Sequence, residues 1–215
     1  SGGAGITGQV FSFTITAQND NSPVVTPSQN FSVNENATNG TIVGSLSATD
    51  VDSGTTFQDW TFSSPAFQVN ASTGQITVLD GSLLDVETTP SFNISVTVSD
   101  GLNTSTPESF TITLNDVNEA PTANDDSYSV DEGNTLNITT AAGVRANDSD
   151  PENDTLTITL VSGTSNGSLI LNPDGSFDYT HDGSETTSDS FTYTASDAEP
   201  LTSAVATVNI TINPI

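Results

Sequence analysis

The sequence predicts an all-β chain: antiparallel β-sandwiches in tandem, arranged end to end. Three observations lead there. Apolar residues recur at period 2 in short runs rich in Thr, Val, Ile and aromatics, the signature of half-buried strands. Turn signals separate the runs, and no segment carries a helical period. One ending, a strand that turns polar and then reaches Pro, acidic in the first two cases, occurs three times, which marks an internal repeat.

Taken in order, the first ending is FTITAQNDNSP (13–23). It reads as the last strand and linker of a preceding repeat, covering 1–21. Next come strands at FNISVTVSD (92–100), with Phe92, Ile94, Val96 and Val98 on one face, and SFTITL (109–114), with Phe110, Ile112 and Leu114. The second ending, FTITLNDVNEAP (110–121), closes a domain over 22–119. TLTITLV (155–161), SFTYTASD (190–197) and ATVNITI (206–212) continue the alternation, and VNITINP (208–214) closes a second domain over 120–215. Turns are expected at TNG (38–40), STG (72–74), SDG (99–101), PDG (173–175) and HDG (181–183). Domains of about 100 residues suit a two-sheet sandwich. The linkers are short, so quasi-independent units should abut.

Composition excludes several roles. The 215 residues hold one Lys or Arg, Arg145, against 27 Asp plus Glu, a formal charge of −26. Nucleic acid and anionic membranes are bound through clusters of Lys and Arg, so neither partner is expected, nor is insertion into a membrane. No apolar run has transmembrane length. There is no Cys, which removes disulfides, thiolate metal sites and a thiol nucleophile. SGGAG at the start has neither a basic nor an apolar leader segment, and the chain reads as a piece of something longer. Apolar content is 33 %, low for a soluble domain, and a compact state with this charge repels itself. A hard divalent cation, bound by carboxylate oxygens, would offset that repulsion.

The acids are gathered. Asp50 and Asp52 form DVD after a strand, and Asp85 and Glu87 lie in LDVE. Asp100 lies in VSDG, and Asp116, Asn118 and Glu119 in DVNE. In the second repeat Asp148, Asp150, Glu152 and Asp154 share NDSDPEND, and Asp197 lies in ASDAEP. Calcium takes 6–8 oxygens from carboxylates, amides and carbonyls, and a D-x-D pair aims two carboxylates at one point. Acidic turns also occur without a ligand. Clusters at matching places in two repeats favour the metal. NDSDPEND lacks the Gly and distal Glu of an EF-hand loop.

On these motifs residues 22–121 resemble a cadherin repeat: VNENA, ATDVD, FQVNASTGQI, LDVE, VSDG and DVNEAP stand in the family's order. Residues 122–215 resemble the cadherin-like repeats of large bacterial adhesins through ANDDSYSVDEG, ANDSDPENDTL, LNPDGSFDYT and DSFTYTASD. The resemblance implies an immunoglobulin/cadherin-like sandwich fold and Ca2+ sites whose ligands come from neighbouring repeats. Glu35, Asp85, Glu87, Asp116, Asn118 and Glu119 would then combine with Asp148, Asp150 and Asp197 near residue 120. Asn19, Asp20 and Asn21 would combine with Asp50, Asp52 and Asp100 near residue 21. Glu132 in VDEG would face a following repeat. The family linker reads D-x-N-D-N-x-P. DVNEAP is one residue shorter, with Glu for Asp and Ala for Asn, which leaves the ion count open, and Ala17 replaces the leading Asp of the first linker.

Other motifs carry less. GTSNG (163–167) fits G-x-S-x-G with Ser165, but it lies in a loop between strand-like runs, and His181, the sole His, lies in a turn. No enzyme is expected. Trp60, in WTF, reads as core. The sequons at Asn30, Asn70, Asn93 and Asn137 read as products of an Asn-, Ser- and Thr-rich composition. The function expected is a calcium-rigidified extracellular segment of a large bacterial adhesin, in contact with its neighbouring repeats and with a surface glycan or protein receptor. The alternative is a carbohydrate-binding module of a secreted polysaccharide-degrading protein.

Overall fold

The computed structural model describes residues 18–52 and 54–215. The strand expected at the start of the 13–23 segment lies outside them. The chain forms two compact units, Ser1–Asp116 and Val117–Ile215. The acidic run 116–119 is therefore divided: Asp116 closes unit 1, while Asn118 and Glu119 open unit 2. No helix among the described residues is long and apolar enough to cross a membrane.

Unit 1 holds β1 (Val24–Val25), β2 (Phe31–Asn34), β3 (Ile42–Ser45), β4 (Ala48–Thr49), β5 (Gln58–Thr61), β6 (Phe67–Val69), β7 (Gln75–Val78), β8 (Ser91–Ser99) and β9 (Glu108–Asn115). One sheet runs β2-β9-β8-β5 and faces a second of order β3-β7-β6, with β1 and β4 paired beside them. Unit 2 holds β10 (Asp126–Asp131), β11 (Thr135–Ile138), β12 (Thr157–Ser162), β13 (Gly167–Leu171), β14 (Phe177–His181), β15 (Ser188–Ser196) and β16 (Ala206–Asn213). Its sheets run β10-β16-β15-β12 and β11-β14-β13.

The expected alternation builds both cores. Along β8 the side chains of Ile94, Val96 and Val98 are buried while the residues between them face outward. Fully burying such a side chain contributes about 1.5–3 kcal/mol relative to exposure. In unit 1 Phe67 packs edge-on against Phe92 at 5.2 Å. In unit 2 Phe177 packs edge-on against Tyr128 at 5.0 Å and Phe191 at 5.3 Å, arrangements that the ring quadrupole favours. Trp60 is 4 % exposed and belongs to the core of unit 1.

Topology sets where the acids fall. β8 and β9 are antiparallel, so Asp100, after β8, and Asp116, after β9, lie at opposite ends of unit 1. β2 pairs with β9 in parallel, ending at Asn34↔Asn115. Glu35 follows that pair, at the Asp116 end. We call the Asp100 end of a unit its entry end and the Asp116 end its exit end. Unit 2 repeats the plan, with β10 parallel to β16 up to Asp131↔Asn213.

Candidate metal centres

At the entry end of unit 1, Asp52 gathers the linker. Oδ2 accepts the N–H groups of Asp20 (3.1 Å) and Asn21 (2.9 Å), and Oδ1 accepts from Asn21 Nδ2 (3.0 Å). The Asn21 amides, chiefly its N–H, hold the Asp52 carboxyl below its ordinary value. Asn19, with its amide nitrogen turned to the carboxylates, donates to Asp100 Oδ2 (3.0 Å) and Asp52 Oδ2 (3.2 Å). Asn103 donates to the Asn21 carbonyl at 2.9 Å. Asp100 Oδ1 accepts the N–H groups of Leu102 (2.7 Å) and Asn103 (2.6 Å), with the Asn103 amide the main cause of its lowered pKa. Gly101 at φ 96° makes that turn, in a region open to Gly at no steric cost. Asp50 Oδ1 accepts the Asp52 N–H at 2.7 Å. Its Oδ2 is shielded from solvent with no hydrogen-bond partner among the described residues. The structure thus brings Asn19, Asp20, Asn21, Asp50, Asp52 and Asp100 together.

Unit 2 repeats this end, in a register that the sequence does not reveal. Val24 pairs with Thr49 in unit 1, and Thr122 with Ser149 in unit 2. Both follow a buried proline, Pro23 and Pro121. Asp150 therefore stands where Asp50 stands, and Glu152 where Asp52 stands. The last turn agrees: Ser105 Oγ accepts from Val98 N and Ser203 Oγ from Ala195 N, so Asp197 matches Asp100. Asn118 Nδ2 donates to Asp197 Oδ2 at 3.0 Å, as Asn19 does to Asp100.

In this register Asp150 and Glu152, rather than the expected Asp148 and Asp150, match Asp50 and Asp52. Asp148 does other work. Its Oδ1 accepts the Asn124 N–H (2.8 Å) and lies 3.1 Å from the Tyr193 hydroxyl. Asp150 Oδ1 accepts the Asp154 N–H at 3.0 Å, and Oδ2 has no partner among the described residues. Neither Glu152 oxygen has a well-aligned donor there either. Burial, with Glu119 and Asp150 as acidic neighbours, pushes the Glu152 carboxyl up to about 7. Shielded carboxylate oxygens without donors are costly unless a cation or proton meets them. An open cavity of about 380 Å3 beside Asp150 is also lined by Asp148, Asn153 and Asp154.

At the exit end of unit 1, Glu35 is 2 % exposed and its Oε2 accepts the Val86 N–H at 2.7 Å. Carboxylate oxygens of Glu35 and Glu87 lie within 4.8 Å of one another, as do those of Glu87 and Asp116. Asp85 stays with its own turn. Its two oxygens accept from Thr88 N and Thr88 Oγ1, both at 2.9 Å, and the Thr88 amide is the main cause of its lowered pKa.

The remaining motifs are structural. Ser165 N–H donates to the buried carboxylate of Asp189 at 2.9 Å, and the strand after this loop is β13 rather than a helix, so the nucleophile-elbow context is absent. His181 is 2 % exposed and accepts the Gly133 N–H at Nδ1, 3.1 Å away. Buried as it is, the Trp60 ring offers no platform to a sugar.

Two sandwiches in tandem, each with an oxygen-rich entry end of one design, define a tandem-repeat module. Residues 29–117 match the family model of the cadherin domain and residues 118–214 that of the bacterial cadherin-like domain. The chain therefore carries a cadherin domain and a bacterial cadherin-like domain in tandem. Human cadherin-23 is 33 % identical over 164 residues, 73 % of this chain, and the rat protein matches to the same extent. The chain spans 5 % of the length of these relatives. Among solved structures, mouse cadherin-23 EC22-24 has a TM-score of 0.63 at 21 % identity, covering 93 % of this chain and 67 % of that one. Human protocadherin-24 EC1-2 has a TM-score of 0.67 at 17 % identity, covering 90 % and 98 %. At these identities the likeness is one of fold.

Proposed function

We propose that this chain is a calcium-stiffened segment of a large extracellular adhesin, its repeats joined through bound Ca2+. The observation that carries the reading is the repeated orphan. Asp50 Oδ2 and Asp150 Oδ2 hold the same place in two domains of different sequence, each shielded and without a donor among the described residues. Carboxylate, amide and carbonyl oxygens are the donor set that Ca2+ prefers, so the residues fit the ion. Asp50, Asp52, Asp100 and the 19–21 linker would hold it at the first entry end. Asp150, Glu152, Asp197, Asn118 and Glu119 would do so at the second, and Glu35, Glu87 and Asp116, with Asp85 beside them, at the exit end of unit 1. Residues 116–119 are contiguous, so a linker of four residues carries ligands belonging to both domains. Asn19 and Asn118 each face a carboxylate through the amide nitrogen, and rotation of the amide presents its oxygen to a cation.

Calcium supplies charge neutralisation and a rigid link. The net charge of −26 lets a chain almost free of Lys and Arg reach outward from a cell, where Ca2+ is abundant, without being drawn to nucleic acid or anionic lipid. Calorimetric titration of the chain with Ca2+ tests the reading. Binding at both Asp50 and Asp150, lost site by site in Asp50→Ala and Asp150→Ala, supports it. Heats no larger than those of dilution refute it.

A further inference from the structure

The two units differ at their exit ends. In unit 1 the connection from β7 to β8 is residues 79–90 and carries Asp85 and Glu87. In unit 2 the corresponding connection, from β14 to β15, is only residues 182–187. Its acids are Asp182, whose Oδ1 accepts the Ser184 N–H at 2.9 Å, and the exposed Glu185.

Glu132 stands where Glu35 stands, since their N–H groups donate to the carbonyls ending the last strands, Asn213 (2.9 Å) and Asn115 (3.1 Å). The residue after Asn115 is Asp116, whereas the residue after Asn213 is Pro214, which has no side-chain oxygen. The turn is also closed differently. In unit 1 the Asn36 N–H donates to the Leu84 carbonyl at 3.1 Å. In unit 2 the equivalent N–H, of Gly133, donates to His181 Nδ1 at 3.1 Å, and Gly183 N–H approaches the same nitrogen at 3.3 Å. His181 Nε2 lies 2.9 Å from Thr186 Oγ1. Among the described residues Glu132 belongs to no acidic group close enough to hold a metal.

Resting on the calcium reading above, we infer that unit 2 binds a divalent cation at one end only. Its entry end takes the ion, and its exit end is cation-independent, its turn closed by the imidazole of His181. An array built with this unit carries a calcium-stiffened joint on one side of it, while unit 2 brings no calcium ligand set to the other.

Amide NMR of the 215-residue chain, titrated with Mn2+ as a paramagnetic stand-in for Ca2+, tests this. The amides of Val86, Leu102 and Leu201 should fade early, while those of Gly133 and Gly183 keep their intensity. In a parallel Ca2+ titration Glu35→Gln should weaken binding by roughly tenfold or more, and Glu132→Gln should leave every step unchanged. Fading of Gly133 and Gly183 at the midpoint of Val86, or loss of a binding step in Glu132→Gln, overturns the one-ended assignment while leaving the calcium reading intact. No fading at any amide overturns both.

Discussion

Asp50 and Asp150 are the same residue of two different domains. Each follows the residue that pairs with the segment after a buried proline, and each holds one carboxylate oxygen out of water with no donor among the described residues. Such an oxygen destabilises a metal-free end and stabilises a metal-loaded one. The two substitutions Asp50→Asn and Asp150→Asn should therefore change sign with calcium. Under chelator they leave stability unchanged or raise it by up to about 1 kcal/mol, as removal of an uncompensated charge does. In saturating Ca2+ they lower it. Thermal unfolding under both conditions checks this.

Glu152 should make calcium binding pH-dependent. Burial, helped by Glu119 and Asp150, places its carboxyl at about 7, and a cation requires the carboxylate. Binding near pH 7 should therefore release a proton, and affinity should fall by up to about tenfold per pH unit below that value. Glu152→Gln should bind more weakly and lose this slope. Titration calorimetry in buffers of different protonation enthalpy measures the released proton directly.

Asp126 gives unit 2 a second pH response, independent of metal. Burial, with Asp148 and Asp125 as like-charged neighbours, pushes its carboxyl up to about 6 from 3.8. The Tyr193 hydroxyl beside it has one proton and five oxygens in reach: the Asn124 and Val144 carbonyls, Asp126 Oδ2 and both oxygens of Asp148. A folded-state value above the unfolded one means that the protonated acid is favoured by folding. The contribution is complete below about pH 4 and is lost as pH rises through 6. Because the site is partly open, the loss is about 1 kcal/mol rather than the full value of the shift. Asp126→Asn should raise the melting midpoint of unit 2 by about 5 °C at pH 8 and leave it unchanged at pH 4.

Asp189 should behave in the opposite sense. Burial works to raise its pKa, but the N–H groups of Ser165 (2.9 Å), Asn166 (2.8 Å) and Ser190 (2.9 Å) and the Tyr179 hydroxyl (2.9 Å) outweigh it and hold the carboxyl low. Stability from this group is present above the ordinary carboxylate range and is lost as pH falls through its lowered value. Asp189→Ala leaves those donors unmatched and should cost about 3 kcal/mol, read as a drop in denaturant midpoint with the slope unchanged.

The sheets were legible because period 2 reports burial directly. Ile94, Val96 and Val98 alternate in the sequence, and all three are buried. The two-residue strands β1 and β4 were not legible, because two residues cannot show a period. The entry end of unit 1 could be read from DVD and VSDG. That of unit 2 could not, because Asp148, Asp150 and Glu152 offer two overlapping acid-x-acid pairs, and only the pairing of Thr122 with Ser149 shows that the second matches Asp50 and Asp52. The role of Asp148 depends on Tyr193, 45 residues away, and local spacing carries no sign of it. The place of His181 at the turn around Gly133 is likewise a long-range fact, |i−j| 48.

The most direct test of calcium locking is differential scanning calorimetry of the chain in saturating Ca2+ and in chelator, with ionic strength matched so that simple screening of the −26 charge cancels. An ion bound by the folded state alone raises the midpoint by mass action, by about 2.7 kcal/mol in stability at a hundred times Kd. The expected result is a higher midpoint in calcium, lowered by Asp50→Ala and Asp150→Ala. Superimposable traces with and without calcium would contradict it.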